Sequence, residues 1–351
     1  MSMIVAILVF GMIILIHEFG HFIVAKKCGI GVVEFSMGMG PRLCSVVKGE
    51  TRYSVKALPF GGSCMMLGED EEDSNPKAFN NKPVWSRIAV IAAGPVFNFL
   101  LAFVLALAII HVAGCDPAEL TGVLEGFSAQ EQGMEAGDVI TRIGGEKVTV
   151  YRDVTMYMYL HPSDPVDVEY KRTMEDGSVE TRQARLEPRY SQEHGGYMLG
   201  IQTRGYRQPS NGIFDTVKYG AYEVVYWMKT VVKSIGMMFR GQVGAQDMAG
   251  PVRLVSMIDE TVEETRQYGL ETMLLTIANL CVMLSANLGV MNLLPIPALD
   301  GGRLVFLLVE AIRGKPVDKE KEGMVHMAGM ALLMGFMVFV LFNDIAMLFF
   351  K

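Results

Sequence analysis

The residues with the clearest chemical potential are His17-Glu18-Phe19-Gly20-His21. Positions i and i+4 of a helix share a face, so the two imidazoles can reach one metal ion. Glu18 then lies close enough to take a proton from a water that the ion activates. The chemistry this spacing points to is metal-assisted hydrolysis. Two histidines leave the site one ligand short, because a catalytic zinc site usually has three protein ligands and one open position.

The best third ligand lies far along the chain, in Asn292-Leu293-Leu294-Pro295-Ile296-Pro297-Ala298-Leu299-Asp300-Gly301-Gly302. Two prolines interrupt an apolar run that then ends in a carboxylate. Irregular backbone at membrane depth is tolerated only against protein or a water-filled cavity, so the break marks an interior site. Asp300 is the favoured ligand, and it also reads as an N-cap for a helix beginning near Gly301. Asp344, Glu310 and His326 are the competing candidates.

The elements that must hold these residues are membrane helices. Half of the 351 residues are apolar, 26 are Met, and apolar stretches run over 2–25, 88–113, 272–299 and 325–350. Each approaches the roughly 20 residues that span ~30 Å of hydrocarbon. Four spans follow, with His17, Glu18 and His21 inside the first. Imidazole and carboxylate groups are costly there and are retained where they bind or react. The first stretch lacks the basic start and small-residue cleavage site of a signal peptide, so it reads as a retained span. Five scattered Cys show no CxxC spacing and imply neither a disulfide framework nor a thiolate zinc site. The net charge of −7 comes without a basic patch, and no nucleic-acid partner is expected.

The tight basic flanks Lys26, Lys27, Lys82, Arg87, Arg313, Lys315, Lys319 and Lys321 all fall on loops one and three. The positive-inside rule makes that side the cytoplasm and puts both termini outside the cell membrane. The expected organisation is a polytopic α-helical membrane protein: span one with the histidines (1–27), a cytoplasmic-side β-loop (28–84), span two (85–113), an outer β-rich domain (114–206), an amphipathic helical segment (207–271), a broken span three (272–313), a short cytoplasmic loop (314–324) and span four (325–351). In the β-loop, short strands are expected near 32–37, 43–47 and 53–58, with a turn at Gly38-Met39-Gly40-Pro41. In the outer domain, strands are expected at 139–143, 166–170 and 181–186. The amphipathic segment either lies on the membrane surface or packs on the outer domain.

These residues together resemble the site-2 protease family of intramembrane metalloproteases, in its bacterial RseP-like branch. The resemblance rests on the His17–His21 and Asn292–Gly301 motifs, supported by Ala93-Gly94-Pro95-Val96-Phe97-Asn98-Phe99, Ala249-Gly250-Pro251-Val252 and Phe342-Asn343-Asp344. In the outer loop, Ser128 to Ile140 with Gly144-Gly145-Glu146-Lys147-Val148 is similar to the core of a PDZ domain, and there is room for only one. The resemblance implies Zn2+ held by His17, His21 and Asp300, with Glu18 as catalytic base. It implies a substrate contact at Asn292, and at Asn98 either a substrate contact or a hydrogen bond within the bundle. It also implies that the β-loop is membrane-associated and holds an extended substrate at a strand edge. Gly61 and Gly62 are then substrate-binding; in a plain hairpin they are a simple turn. The implied substrates are single-span membrane proteins already trimmed outside the membrane, such as anti-sigma factors or signal-peptide remnants, with a further peptide contact at the PDZ domain. A metal transporter would line several spans with polar groups, and spans two and four offer few. A PDZ adaptor with a structural zinc would need a fourth ligand, which is not found.

Overall fold

The computed structural model describes residues 2–69, 71, 73–192, 194–204, 207–242 and 250–349. Met1, Gly205 and Tyr206 at the end of the expected outer domain, Ala249 of the Ala249–Val252 motif, and the Phe350–Lys351 end of span four lie outside them. In chain order the elements are α1 (Ser2–Lys27), β1 (Val32–Lys48), β2 (Thr51–Met66), α2 (Val84–Ala113), β3 (Gly122–Val123), α3 (Ser128–Glu131), β4 (Val139–Ile143), β5 (Glu146–Lys147), α4 (Tyr151–Leu160), β6 (Val166–Thr173), β7 (Val179–Leu186), β8 (Arg189–Ser191), β9 (Gly196–Met198), β10 (Ile201–Gln202), α5 (Ile213–Phe239), α6 (Pro251–Arg266), α7 (Leu270–Leu293), α8 (Asp300–Arg313) and α9 (Lys319–Phe349). They form two compact units, one of residues 1–105 and 227–351 and one of 106–226.

The first unit is helical. Among the described residues, four helices are long and apolar enough to cross a membrane: Ile4–Lys27, Val84–Ala113, Leu270–Leu293 and Glu320–Ala346. Val9 and Ile13 of α1 pack with Cys281 and Leu284 of α7 and Leu101 of α2. Ala6 packs against Ile258 and Val262 of α6. Helix α9 begins at Lys319, within the segment expected to be a loop, because the run Lys319-Glu320-Lys321-Glu322 favours helix as readily as loop.

The expected short strands of the β-loop are instead two long, bent strands. Residues 34–37 of β1 pair on one side with 52–55 and on the other with 62–65, while 42–48 pair back onto 51–56. The result is a mixed four-stranded sheet folded from two strands, in which 34–37 run parallel to 52–55 and the other neighbours are antiparallel, with the 61–66 stretch at one edge. The expected turn at Gly38–Pro41 lies inside β1: Gly38 and Gly40, at φ 88° and 84°, let the strand bend without ending. Glu34 clips three of the stretches together. It accepts bonds from Ser54 Oγ (2.5 Å) and from Arg42 Nε and Nη2 (3.1 and 3.0 Å). The Arg42 guanidinium, followed by the Ser54 hydroxyl, holds the Glu34 carboxyl below its usual range.

The second unit is β-rich, with sheet order β5-β4-β6-β7 and a separate β3–β10 pair. The expected strands at 139–143, 166–170 and 181–186 are present, the last two somewhat longer. Alternating Val166, Val168 and Tyr170 face a core with Ile140, Ile143, Ala184 and Leu186. Buried Asp138 accepts two 2.7 Å bonds from Arg172 and one from the Glu135 N–H. Within this unit the first half of α5 is fixed by charge: Glu223, 2% exposed, receives Arg152 (2.6 Å) and Arg207 (2.7 Å), and Arg152 also binds Asp116. That end of the amphipathic segment therefore packs on the β-rich unit, while Ile213 and Phe214 stay exposed.

One carboxylate organises the far end of the helical unit. Asp344 of α9 is 2% exposed and accepts the backbone N–H groups of Gly250 (3.1 Å), Val252 and Arg253 (3.2 Å each). These donors belong to the start of α6, where the helix dipole also favours an anion. A Cβ at Gly250 would lie 2.5 Å from Asp344 Oδ2. Asp344→Ala should lower stability by about 2 kcal/mol, since three donors lose their acceptor in a buried place. Asp344→Asn, which keeps one acceptor oxygen, should lose less. Thermal unfolding midpoints of the purified proteins in detergent check the order.

Candidate metal centre

His17 and His21 lie where α1 crosses α2, and the crossing is close because two glycines permit it. A Cβ at Gly20 would sit 2.5 Å from Ala93 O, and one at Gly94 would sit 2.3 Å from His21 Nε2 and 2.7 Å from His17 Cε1. The backbone of α2 thus forms one wall of the site, and both imidazoles are buried.

Asp300 closes the site from the other end of the chain. Helix α7 stops at Leu293, α8 starts at Asp300, and the intervening loop carries Ala298 at φ 76°. Gly301 and Gly302 let this loop fold tightly, since a Cβ there would meet Leu294 O at 2.0 Å and Ile296 O at 2.5 Å. Asp300 is the first residue of α8 and makes no capping bond; the cap position is Leu299. The expected capping role is thus absent, and the carboxylate is free to face the histidines. Asp300 Oδ2 lies 3.1 Å from His17 Nε2 and 3.4 Å from His21 Nε2, and the two Nε2 atoms are 3.2 Å apart.

These distances suit zinc. Four ligands at ~2.0–2.1 Å around a tetrahedral ion are separated by roughly 3.3 Å. Ring orientation agrees as well. His21 Nδ1–H donates to Val90 O at 2.8 Å, which leaves the Nε2 lone pair facing the centre. For His17, the Asn98 amide lies 3.2 Å from Nδ1. Amide oxygen and nitrogen exchange by a half-turn, and only Oδ1 toward an Nδ1–H frees the His17 Nε2 lone pair. Asn98 is fully buried, and Ser285 Oγ fixes its backbone by donating to Asn98 O at 2.8 Å. Asn98 thus hydrogen-bonds within the bundle, to His17.

The other expected residues are placed as follows. Glu18 lies beside Gly62, where an added Cβ would be 3.0 Å from Glu18 Cγ, so the 61–66 edge runs alongside the HExxH face. Gly61, at φ 86°, makes the bend that leads into that edge. Asn292 sits in the last turn of α7, partly buried. The three competing ligands have other partners: Asp344 caps α6, Glu310 pairs with Arg87, and His326 Nδ1 accepts the Ala298 N–H at 2.9 Å. Gly94 belongs to a motif noted in the sequence, but its role as the wall of the site is disclosed by the helix crossing. A glycine directly before Pro95 inside an apolar helix was the available signal for close approach.

Apolar helices that bury two histidines and a carboxylate around one point, with a glutamate alongside, define a membrane zinc metalloprotease. The model of Peptidase family M50 matches residues 5–336, and the chain belongs to that family, the site-2 proteases. A Clostridium acetobutylicum protein that carries the provisional name zinc metalloprotease is 37% identical over 344 residues, covering 98% of this chain and 97% of that one. Zinc metalloprotease RasP of Bacillus licheniformis is 31% identical, and the regulator of sigma-W protease RasP of Bacillus subtilis is 30% identical; each match covers 99% of both chains.

Two measurements probe the geometry. Gly94→Ala should abolish stoichiometric zinc, because its methyl would overlap both imidazoles; metal analysis of the purified protein reads this directly. Asn98→Leu should weaken zinc binding about 10–100-fold, the usual cost of losing a partner that orients a ligating histidine. Competition with a zinc chelator measures it.

Proposed function

We propose that this protease hydrolyses peptide bonds inside the transmembrane segment of single-span membrane proteins that have already lost most of their outer domain. The observation that carries this reading is the convergence of His17, His21 and Asp300 within a bundle of span-length apolar helices. His17, His21 and Asp300 hold the zinc, and Glu18 is the catalytic base. When bound, zinc supplies a Lewis acid that activates water and polarises a carbonyl. Glu18 takes the proton from the attacking water and returns it to the leaving amine.

A substrate helix must be unwound first, because its peptide groups are satisfied internally. The 61–66 edge of the four-stranded sheet pairs on one side only, and an extended substrate adds to it as a further strand with its scissile bond beside Glu18. Gly61 and Gly62 put no side chain on the stretch of that edge beside Glu18. Asn292 contacts the substrate backbone next to the broken span. The sheet carries exposed Leu43, Val46, Val47 and Leu58, a surface suited to lying against lipid.

The four helices span a bacterial plasma membrane with both termini outside. The β-rich unit is a single extracytoplasmic PDZ domain that contacts peptide or substrate and acts as a size filter. The relative named regulator of sigma-W protease supports membrane-bound anti-sigma factors as a substrate class.

The test compares wild type with Glu18→Gln on a trimmed single-span substrate in detergent or liposomes. Zinc should be present in both and cleavage only in wild type, with the loss exceeding about 10²-fold. Asp300→Asn should lose both zinc and activity. Equal cleavage by the Gln variant, or full zinc in the Asn variant, rejects the assigned roles.

A further inference from the structure

Helix α8 does more than carry Asp300. Asp300, Arg303, Leu307 and Glu310 recur at three- and four-residue spacing and so share one face. Leu307 is buried in the cluster that holds Val32, Met66 and Ile91. Below it, Glu310 pairs with Arg87 of α2 and fixes the far end of the helix. Above it, one turn from Asp300, the Arg303 guanidinium pairs with Glu69.

Glu69 stands three residues beyond the end of β2. Its Oε2 accepts the Met66 N–H at 3.3 Å, while its Oε1 accepts from Arg303 Nη1. The strand end is also fixed by Leu67 N–H donating to Gly31 O at 2.8 Å and Phe79 N–H donating to Leu67 O at 2.7 Å. One largely buried carboxylate therefore joins the strand that carries Gly62 past Glu18 to the helix that presents Asp300.

We infer that the Glu69–Arg303 pair sets the register of cleavage: it fixes the 61–66 edge relative to Asp300 and so selects which peptide bond of an extended substrate lies at the metal centre. The inference rests on the reading that substrate adds to this edge. Each strand residue advances the chain by ~3.3 Å. A displacement of that size between edge and metal centre would bring the neighbouring bond into place. Because Arg87–Glu310 anchors α8 to α2, the helix does not follow the sheet when the upper tie is released. Neither Glu69 nor Arg303 touches the reacting atoms, and both are positioning residues.

The experiment uses the zinc-loaded full chain and a model single-span substrate, with product ends identified by mass spectrometry. Wild type should cut one principal bond. Glu69→Gln and Arg303→Gln should keep stoichiometric zinc yet distribute cleavage over adjacent bonds, with the principal cut slowed about tenfold or more, as expected for misplacement rather than loss of a reacting group. Glu69→Asp keeps the charge and shortens the tie by one methylene; it is the milder variant and should also yield a second, neighbouring product. Glu131→Gln, which breaks the exposed Glu131–Arg189 pair in the β-rich unit, should leave the wild-type pattern unchanged. A single wild-type bond in both Glu69→Gln and Glu69→Asp, at whatever rate, overturns the inference. The edge reading is tested separately by proline placed next to the scissile bond in the substrate. Undiminished cleavage of that substrate by wild type rejects strand addition itself.

Discussion

Everything in the helical unit answers to one constraint: two imidazole nitrogens and a carboxylate oxygen, 3.1 to 3.4 Å apart, aim their lone pairs at one buried point. In a low-dielectric interior such groups repel unless positive charge lies between them. The surrounding structure is arranged to keep them there. Gly20 and Gly94 bring α1 and α2 close enough, Val90 O and the Asn98 amide set the ring orientations, and the broken stretch between α7 and α8 turns Asp300 inward. Each device is individually weak. Together they hold the three groups facing one point.

The same logic separates what the sequence discloses from what it hides. His17, Glu18 and His21 are legible because their spacing is local and a helix converts it directly into geometry. Asp300 is legible by a different route, since two prolines in an apolar run require an interior setting whatever the partner. Asn98 is not legible in this way. An amide inside a span reads equally well as a substrate contact or as bundle glue, and only the crossing of α1 and α2 puts it on His17. Asp344 presents the same difficulty in reverse: a buried acid near a span resembles a ligand until the start of α6 is seen to occupy it.

The β-loop shows how turn chemistry can mislead. Gly38, Gly40 and Pro41 make a convincing turn by residue type, yet they lie within a strand that continues through its bend. The outcome is decided by pairing at a distance. Residues 34–37 are flanked on both sides by β2, and a central strand with two partners tolerates local irregularity that an isolated hairpin would not. The β-rich unit was easier to read, because alternating Val166, Val168 and Tyr170 leave no ambiguity about which face is buried.

The Ala298 conformation has a consequence for how the site meets its metal. A left-handed alanine costs on the order of 1–2 kcal/mol relative to ordinary backbone. Here it is held by the His326 ring, on a helix whose Gly329 lets Pro297 approach closely. The loop is consequently ordered by its neighbours in α9, independently of any ion. The entropy of placing the Asp300 carboxylate beside the two imidazoles is thus lost during folding.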